Sequence, residues 1–191
     1  MTKQRLEAFS DGVIAILLTI MVLELRAPEG GELSALRPVM PSLLGYLLSF
    51  VYLGIYWNNH HHMLHVTHQI SGGVLWANLH LLFWLSLVPF LTSWMAEHYQ
   101  MAVPTAVYGV NLLLAAIAYT ILQTKLIAIH GNDVLARAVQ HDGKGKASIA
   151  LYAGGIALAF VRPWIAQIIY VIVALVWLVP DRRIERHMHE A

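Results

Sequence analysis

Apolar and polar positions in this chain are sorted into long blocks. From Gly12 to Leu23 there is no charged residue, and similar apolar runs recur before two shorter ones that only Arg162-Pro163 separates. A helical apolar block of about 20 residues spans the hydrocarbon core of a bilayer, and a helix satisfies its own backbone groups where no water is present. The breakers fall between the blocks: Pro28 with Gly30-Gly31, Pro38 and Pro41, Ser71-Gly72-Gly73, and the polar stretch Glu97–Gln100. The pattern therefore predicts an all-α integral membrane protein in a single domain, 1-191, with six spans at about 6-25, 42-63, 74-95, 104-124, 147-161 and 164-179.

Composition agrees. Of 191 residues, 58% are hydrophobic and 12% charged, against roughly 25% charged in a soluble domain. The first apolar run, preceded by Lys3 and Arg5, lacks a clean small-residue cleavage pattern, so it is expected to be retained rather than removed as a signal peptide. Basic residues orient the spans. Nine lie on the side of the termini (Lys3, Arg5, Lys125, Arg137, Lys144, Lys146, Arg182, Arg183, Arg186) and three on the other (Arg26, Arg37, Arg162). Both termini are expected in the cytoplasm and the chain in the cell membrane, plasma or inner. The net charge of +1 gives no ground for nucleic-acid binding, and the absence of cysteine removes disulfides, thiolate metal sites and cysteine catalysis.

Candidate chemistry sits at the ends of the spans. No Gly-x-Ser-x-Gly elbow, His-Glu-x-x-His helix, phosphate-binding loop or Thr-Val-Gly-Tyr-Gly carbonyl filter occurs, which speaks against an enzyme and against a carbonyl-filtered pore. Asp11 enters a membrane span, where an ionised carboxylate needs a partner. It serves either as a structural anchor, paired with Arg5 or with donors at the end of the second span (Trp57, Asn58, Asn59, His60, His61), or as a proton or ion site in a proton-coupled carrier. The His60–His68 cluster has i,i+3 and i,i+4 pairs (His61, His65, His68) that bring imidazoles to one helix face. Its alternatives are local hydrogen bonding, a metal, or a haem shared with a histidine such as His80. At about 100° per residue, Ile16, Ile20 and Leu23 share a stripe with Thr19 and Gly12 at its edge, while Asp11 points roughly 140° away from Ile16. Such a stripe by itself reads as core or lipid contact.

Arg5-x-x-x-Phe9-Ser10-Asp11 in the first span, Tyr56-Trp57-x-Asn59-His60-His61 in the second, and Asn78 with Pro89-Phe90 in the third resemble the transmembrane protein 175 family, the endolysosomal potassium channels and their bacterial and archaeal relatives. The resemblance extends over essentially the whole chain, although the fourth to sixth spans carry no motif. It implies a homotetramer whose four first helices line one pore, needing no cofactor and passing potassium, other monovalent cations or protons. By position it puts the hydrophobic constriction at Ile16 and further lining at Thr19, Ile20 and Leu23, the residues already grouped by helical angle. It also implies that Phe9, Ser10 and Asp11 pack inside the subunit against the second and third spans, in a network with Arg5, Trp57, Asn59, His60, His61 and Asn78.

Overall fold

The structure, a computed structural model, describes residues 2–65, 67, 69–130 and 143–178. His68, Arg137, the tip 131–142, the charged segment 181–190 and the last residue of the sixth predicted span lie outside the described residues. Among the described residues every regular element is helical. In order they are α1 (Lys3–Leu23), a 3-10 turn (Leu33–Leu36), α2 (Met40–His65), α3 (Gly72–Ser86), α4 (Val88–Glu97), α5 (Ala102–His130), α6 (Gly143–Ala159) and α7 (Pro163–Leu178).

Helices α1, α2, α5 and the α3–α4 pair are each long and apolar enough to cross a membrane, and α7 is a shorter apolar helix. The chain is therefore membrane-integral. The third predicted span is two helices because Pro89, in the first turn of α4, has no N–H to continue the ladder and its ring crowds the carbonyl one turn earlier. The chain turns at Leu87 and resumes. Ser71 starts α3 as an N-cap, its Oγ accepting from the Val74 N–H at 3.3 Å, and Pro163 opens α7 where a missing N–H does no harm. Between α1 and α2 the loop passes through Gly30 at φ 122°, a backbone state that favours glycine.

Two apolar clusters hold the helices together. One gathers Leu6, Ile14, Leu17 and Met21 of α1 with Leu53 of α2, Leu81 and Leu85 of α3 and Leu122 of α5. The other, built around Tyr52, Tyr108, Tyr152 and Tyr170, joins α2, α4, α5, α6 and α7. Helix α1 packs on α2, α3 and α4, whereas α7 packs on α6, α5 and α2. Lys3 Nζ donates to the His65 carbonyl at 2.8 Å, so α1 begins where α2 ends. That end of the bundle is called the Lys3 end below, and the opposite one, with Arg37 and Tyr99, the Arg37 end.

Candidate functional site

Helix α1 has two faces of different character. Its buried side chains are Leu6, Ser10, Ile14, Leu17 and Met21, spaced by three or four residues, as an amphipathic helix seated on neighbours requires. The opposite side carries Ile16 at 57% exposure and Leu23 at 79%, with Gly12, Ala15, Thr19 and Ile20 also exposed. The four expected pore-lining positions thus lie together on the face that its own subunit leaves uncovered. Thr19 Oγ1 is tied to its own helix, 2.9 Å from the Ile16 carbonyl and 3.2 Å from that of Ala15. Its hydrogen is spent on the backbone, so the hydroxyl presents acceptor lone pairs outward.

Behind that face lies a polar network. Ser10 Oγ donates to the Leu6 carbonyl at 2.9 Å and accepts from Asn78 Nδ2 at 2.9 Å. Because the one Ser10 hydrogen is already used, Asn78 must turn its NH2 toward it, leaving Oδ1 facing His60 Nε2 at 2.7 Å. An amide oxygen only accepts, so His60 carries its hydrogen on Nε2. Ser10, Asn78 and His60 are all buried, and together they fix α1, α2 and α3 at a single rotation. Beside them, Trp57 Nε1 donates to Asp11 Oδ1 at 3.0 Å, and the His61 ring stacks on Trp57 with centroids 6.3 Å apart.

Three expected members stand elsewhere. Asn59 Nδ2 donates to the Ile55 carbonyl at 2.8 Å, within its own helix. Arg5 is exposed, and among the described residues no ion pair joins it to Asp11; the ion pair at this end is Lys3 with Glu7 at 3.8 Å. Phe9 is 48% exposed rather than packed inside. Seven residues are about 20° short of two full turns, so Phe9 shares the stripe of Ile16 and Leu23. The expectation of an inward Phe9-Ser10-Asp11 corner is therefore corrected for Phe9, while Ser10 is buried.

The histidines do not form a ligand set among the described residues, where no three His, Cys, Asp or Glu side chains are placed to hold a metal. His61 and His65 lie 6.1 Å apart by ring centroid, and His68 is outside the described residues. His80, on the exposed side of α3, accepts from Trp84 Nε1 at 2.9 Å. Sequence reasoning missed the tyrosine cluster. Tyr52 OH donates to the Tyr170 carbonyl at 2.6 Å, Tyr152 OH donates to Tyr52 OH at 3.3 Å, and Ser49 Oγ lies 2.8 Å from Tyr108 OH and 2.6 Å from Thr92 Oγ1. The available signal was a tyrosine well inside each of the second, fourth, fifth and sixth spans, where an unpaired hydroxyl would be costly.

The model of the family described as the endosomal/lysosomal potassium channel TMEM175 matches residues 5–89, which contain both faces of α1 and the network behind it. A potassium channel of a Chryseobacterium species is 51% identical over 191 residues, covering all of both chains. The chain belongs to the TMEM175 family. The TMEM175 proton channel of Gallus gallus is 30% identical over 173 residues, 80% of this chain and 34% of its own length. Among solved structures, the crystal structure of a lysosomal potassium-selective channel TMEM175 homolog from Chamaesiphon minutus superimposes with a TM-score of 0.81 at 28% identity, over 93% of this chain and 96% of that one. The TMEM175 family is one of ion channels, and this all-helical subunit shares its architecture.

Proposed function

We propose that the chain is the subunit of a homotetrameric, potassium-permeable cation channel in the cell membrane, with six spans, cytoplasmic termini and four α1 helices around one pore. The observation that carries this reading is the division of α1. Ser10 and Asp11 are tied to α3 and α2, while Ile16, Thr19, Ile20 and Leu23 stand exposed, with no contact to another helix holding the Thr19 hydroxyl among the described residues.

Four Ile16 side chains around an axis make a dry neck, which conducts only when it widens enough to keep water. One turn on, four Thr19 hydroxyls, each with its hydrogen bound to its own backbone, offer acceptors that replace part of the hydration shell of a potassium ion. Hydroxyl rings have fewer fixed dipoles than a carbonyl filter, so the preference for potassium over sodium is modest. Protons and other monovalent cations share the path. Asp11 serves in this reading as the anchor of α1, held by the Trp57 indole, and not as the coupling residue of a carrier.

The test is potassium flux from liposomes under a potassium gradient, with and without a proton ionophore, combined with currents from planar bilayers. A channel releases potassium faster when the ionophore removes the opposing potential, and Ile16→Asn raises unitary conductance several-fold by wetting the neck. Thr19→Val lowers the potassium-to-sodium permeability ratio toward unity. Unchanged currents in both variants would overturn the pore assignment, and flux strictly coupled to a proton gradient would favour the carrier.

A further inference from the structure

Away from α1, between α2, α4 and α7, the subunit surface is cut by a groove of about 650 Å³, within the size range of small-molecule sites. Its floor includes Gly45, Ala96 and Ala174, all buried, and the small side chains are why the surface dips here. Exposed walls rise on either side as Leu44 and Leu47 from α2 and Ile168 and Leu175 from α7. Along α7 the lining runs from Trp164 to Leu178, about 20 Å at 1.5 Å per residue, which exceeds the roughly 15 Å depth of one leaflet's hydrocarbon.

The polarity is confined to one end. Arg37, Tyr99 and Gln167 line the groove at the Arg37 end. Gln167 Nε2 donates to the Tyr99 carbonyl at 2.6 Å, which ties the α4–α5 connection to α7 and closes the head of the groove. Tyr99 OH accepts from Gln100 Nε2 at 2.9 Å and so keeps its own hydrogen for another acceptor. Arg37 is exposed, and among the described residues its guanidinium has no acidic partner. An apolar trough as deep as a leaflet, headed by an unpaired guanidinium and a phenol donor, complements an amphiphile with an anionic head and an alkyl chain. Guanidinium binds phosphate through paired N–H donors.

We infer that this groove binds a bilayer glycerophospholipid, its phosphate on Arg37 and Tyr99 and one acyl chain laid between α2 and α7. The site does not depend on the pore assignment. The channel is reconstituted in bilayers containing phosphatidylglycerol or a diacylglycerol of the same chain length, extracted in mild detergent, and the retained lipid counted by native mass spectrometry. Wild type retains phosphatidylglycerol in preference to diacylglycerol. R37Q lowers phosphatidylglycerol retention about tenfold, the loss of one charge-assisted phosphate contact, without changing retention of diacylglycerol. Val171→Trp, which fills the trough from its exposed wall, lowers both. Equal phosphatidylglycerol retention by wild type, R37Q and Val171→Trp overturns the site. So does efficient subunit-to-subunit cross-linking through Ile168→Cys, which would put a second copy of the chain in the groove; the absence of native cysteine makes that readout free of background.

Discussion

The two polar constructions inside this subunit solve different problems. At the Lys3 end, Ser10, Asn78 and His60 bond side chain to side chain across three helices, each group using the only partner its chemistry leaves open. In the tyrosine cluster the side-chain pairs are hydroxyl to hydroxyl, Tyr152 with Tyr52 and Ser49 with Tyr108 and Thr92, groups that give or accept either way. Further links between helices there finish on main chain, Tyr52 on the carbonyl of Tyr170 and Tyr170 on that of Thr105. Backbone carbonyls recur along a helix, so they hold helices together without selecting one rotation. Side-chain pairs of fixed donor and acceptor sense do select one. The first construction sets the angle at which α1 presents Ile16 and Thr19, and the second binds the outer helices into a mass against which that angle is kept.

Substitutions can separate the two. The largest effect is expected at Gly109, where an added Cβ would land on the Tyr170 hydroxyl and within 3.0 Å of Ile156. Overpacking of this kind destabilises by about 3 kcal/mol, so Gly109→Ala should sharply lower the unfolding temperature in detergent and the yield of protein. Channels that do assemble should keep wild-type unitary conductance, because α1 is untouched.

Asn78→Ala comes next. It leaves Ser10 Oγ and His60 Nε2 buried without each other's link, at about 2 kcal/mol given the modest strength of such bonds in bilayers. Here conductance should change along with stability, since the constraint on α1 rotation is gone. A stable protein with wild-type conductance would dissolve the distinction drawn above. Tyr52→Phe is the mildest, at about 1 kcal/mol, and should lower the unfolding temperature slightly with permeation unaltered.

Much of the fold was legible because hydrophobic length and Pro/Gly punctuation are local signals. Helices α2 and α5 extend past the apolar blocks that announced them, to His65 and His130, because polar residues at an interface continue a helix as readily as apolar ones. The break at Leu87 was not foreseen, since Pro89 is tolerated in a membrane helix unless the neighbours fail to satisfy the freed carbonyl. At the site, the stripe of Ile16, Thr19, Ile20 and Leu23 followed from helical angle alone. Angle alone also places Phe9 with them, and the motif reading, by treating Phe9-Ser10-Asp11 as one unit, overrode it. Partner choice was less accessible. Nothing in the order of Trp57, Asn58, Asn59, His60 and His61 says that the indole takes Asp11, that His60 takes Asn78, and that Asn59 turns back to Ile55, because each is decided by which helix stands opposite.

The hydroxyl of Thr19 has a last consequence. With its hydrogen committed to the carbonyls behind it, it can receive but not give. In the proposed pore, four such groups form a collar that welcomes a cation and has no donor for chloride. Discrimination by sign would then need no fixed charge, and unlike an acidic ring it would not fade as salt shortens the reach of charges.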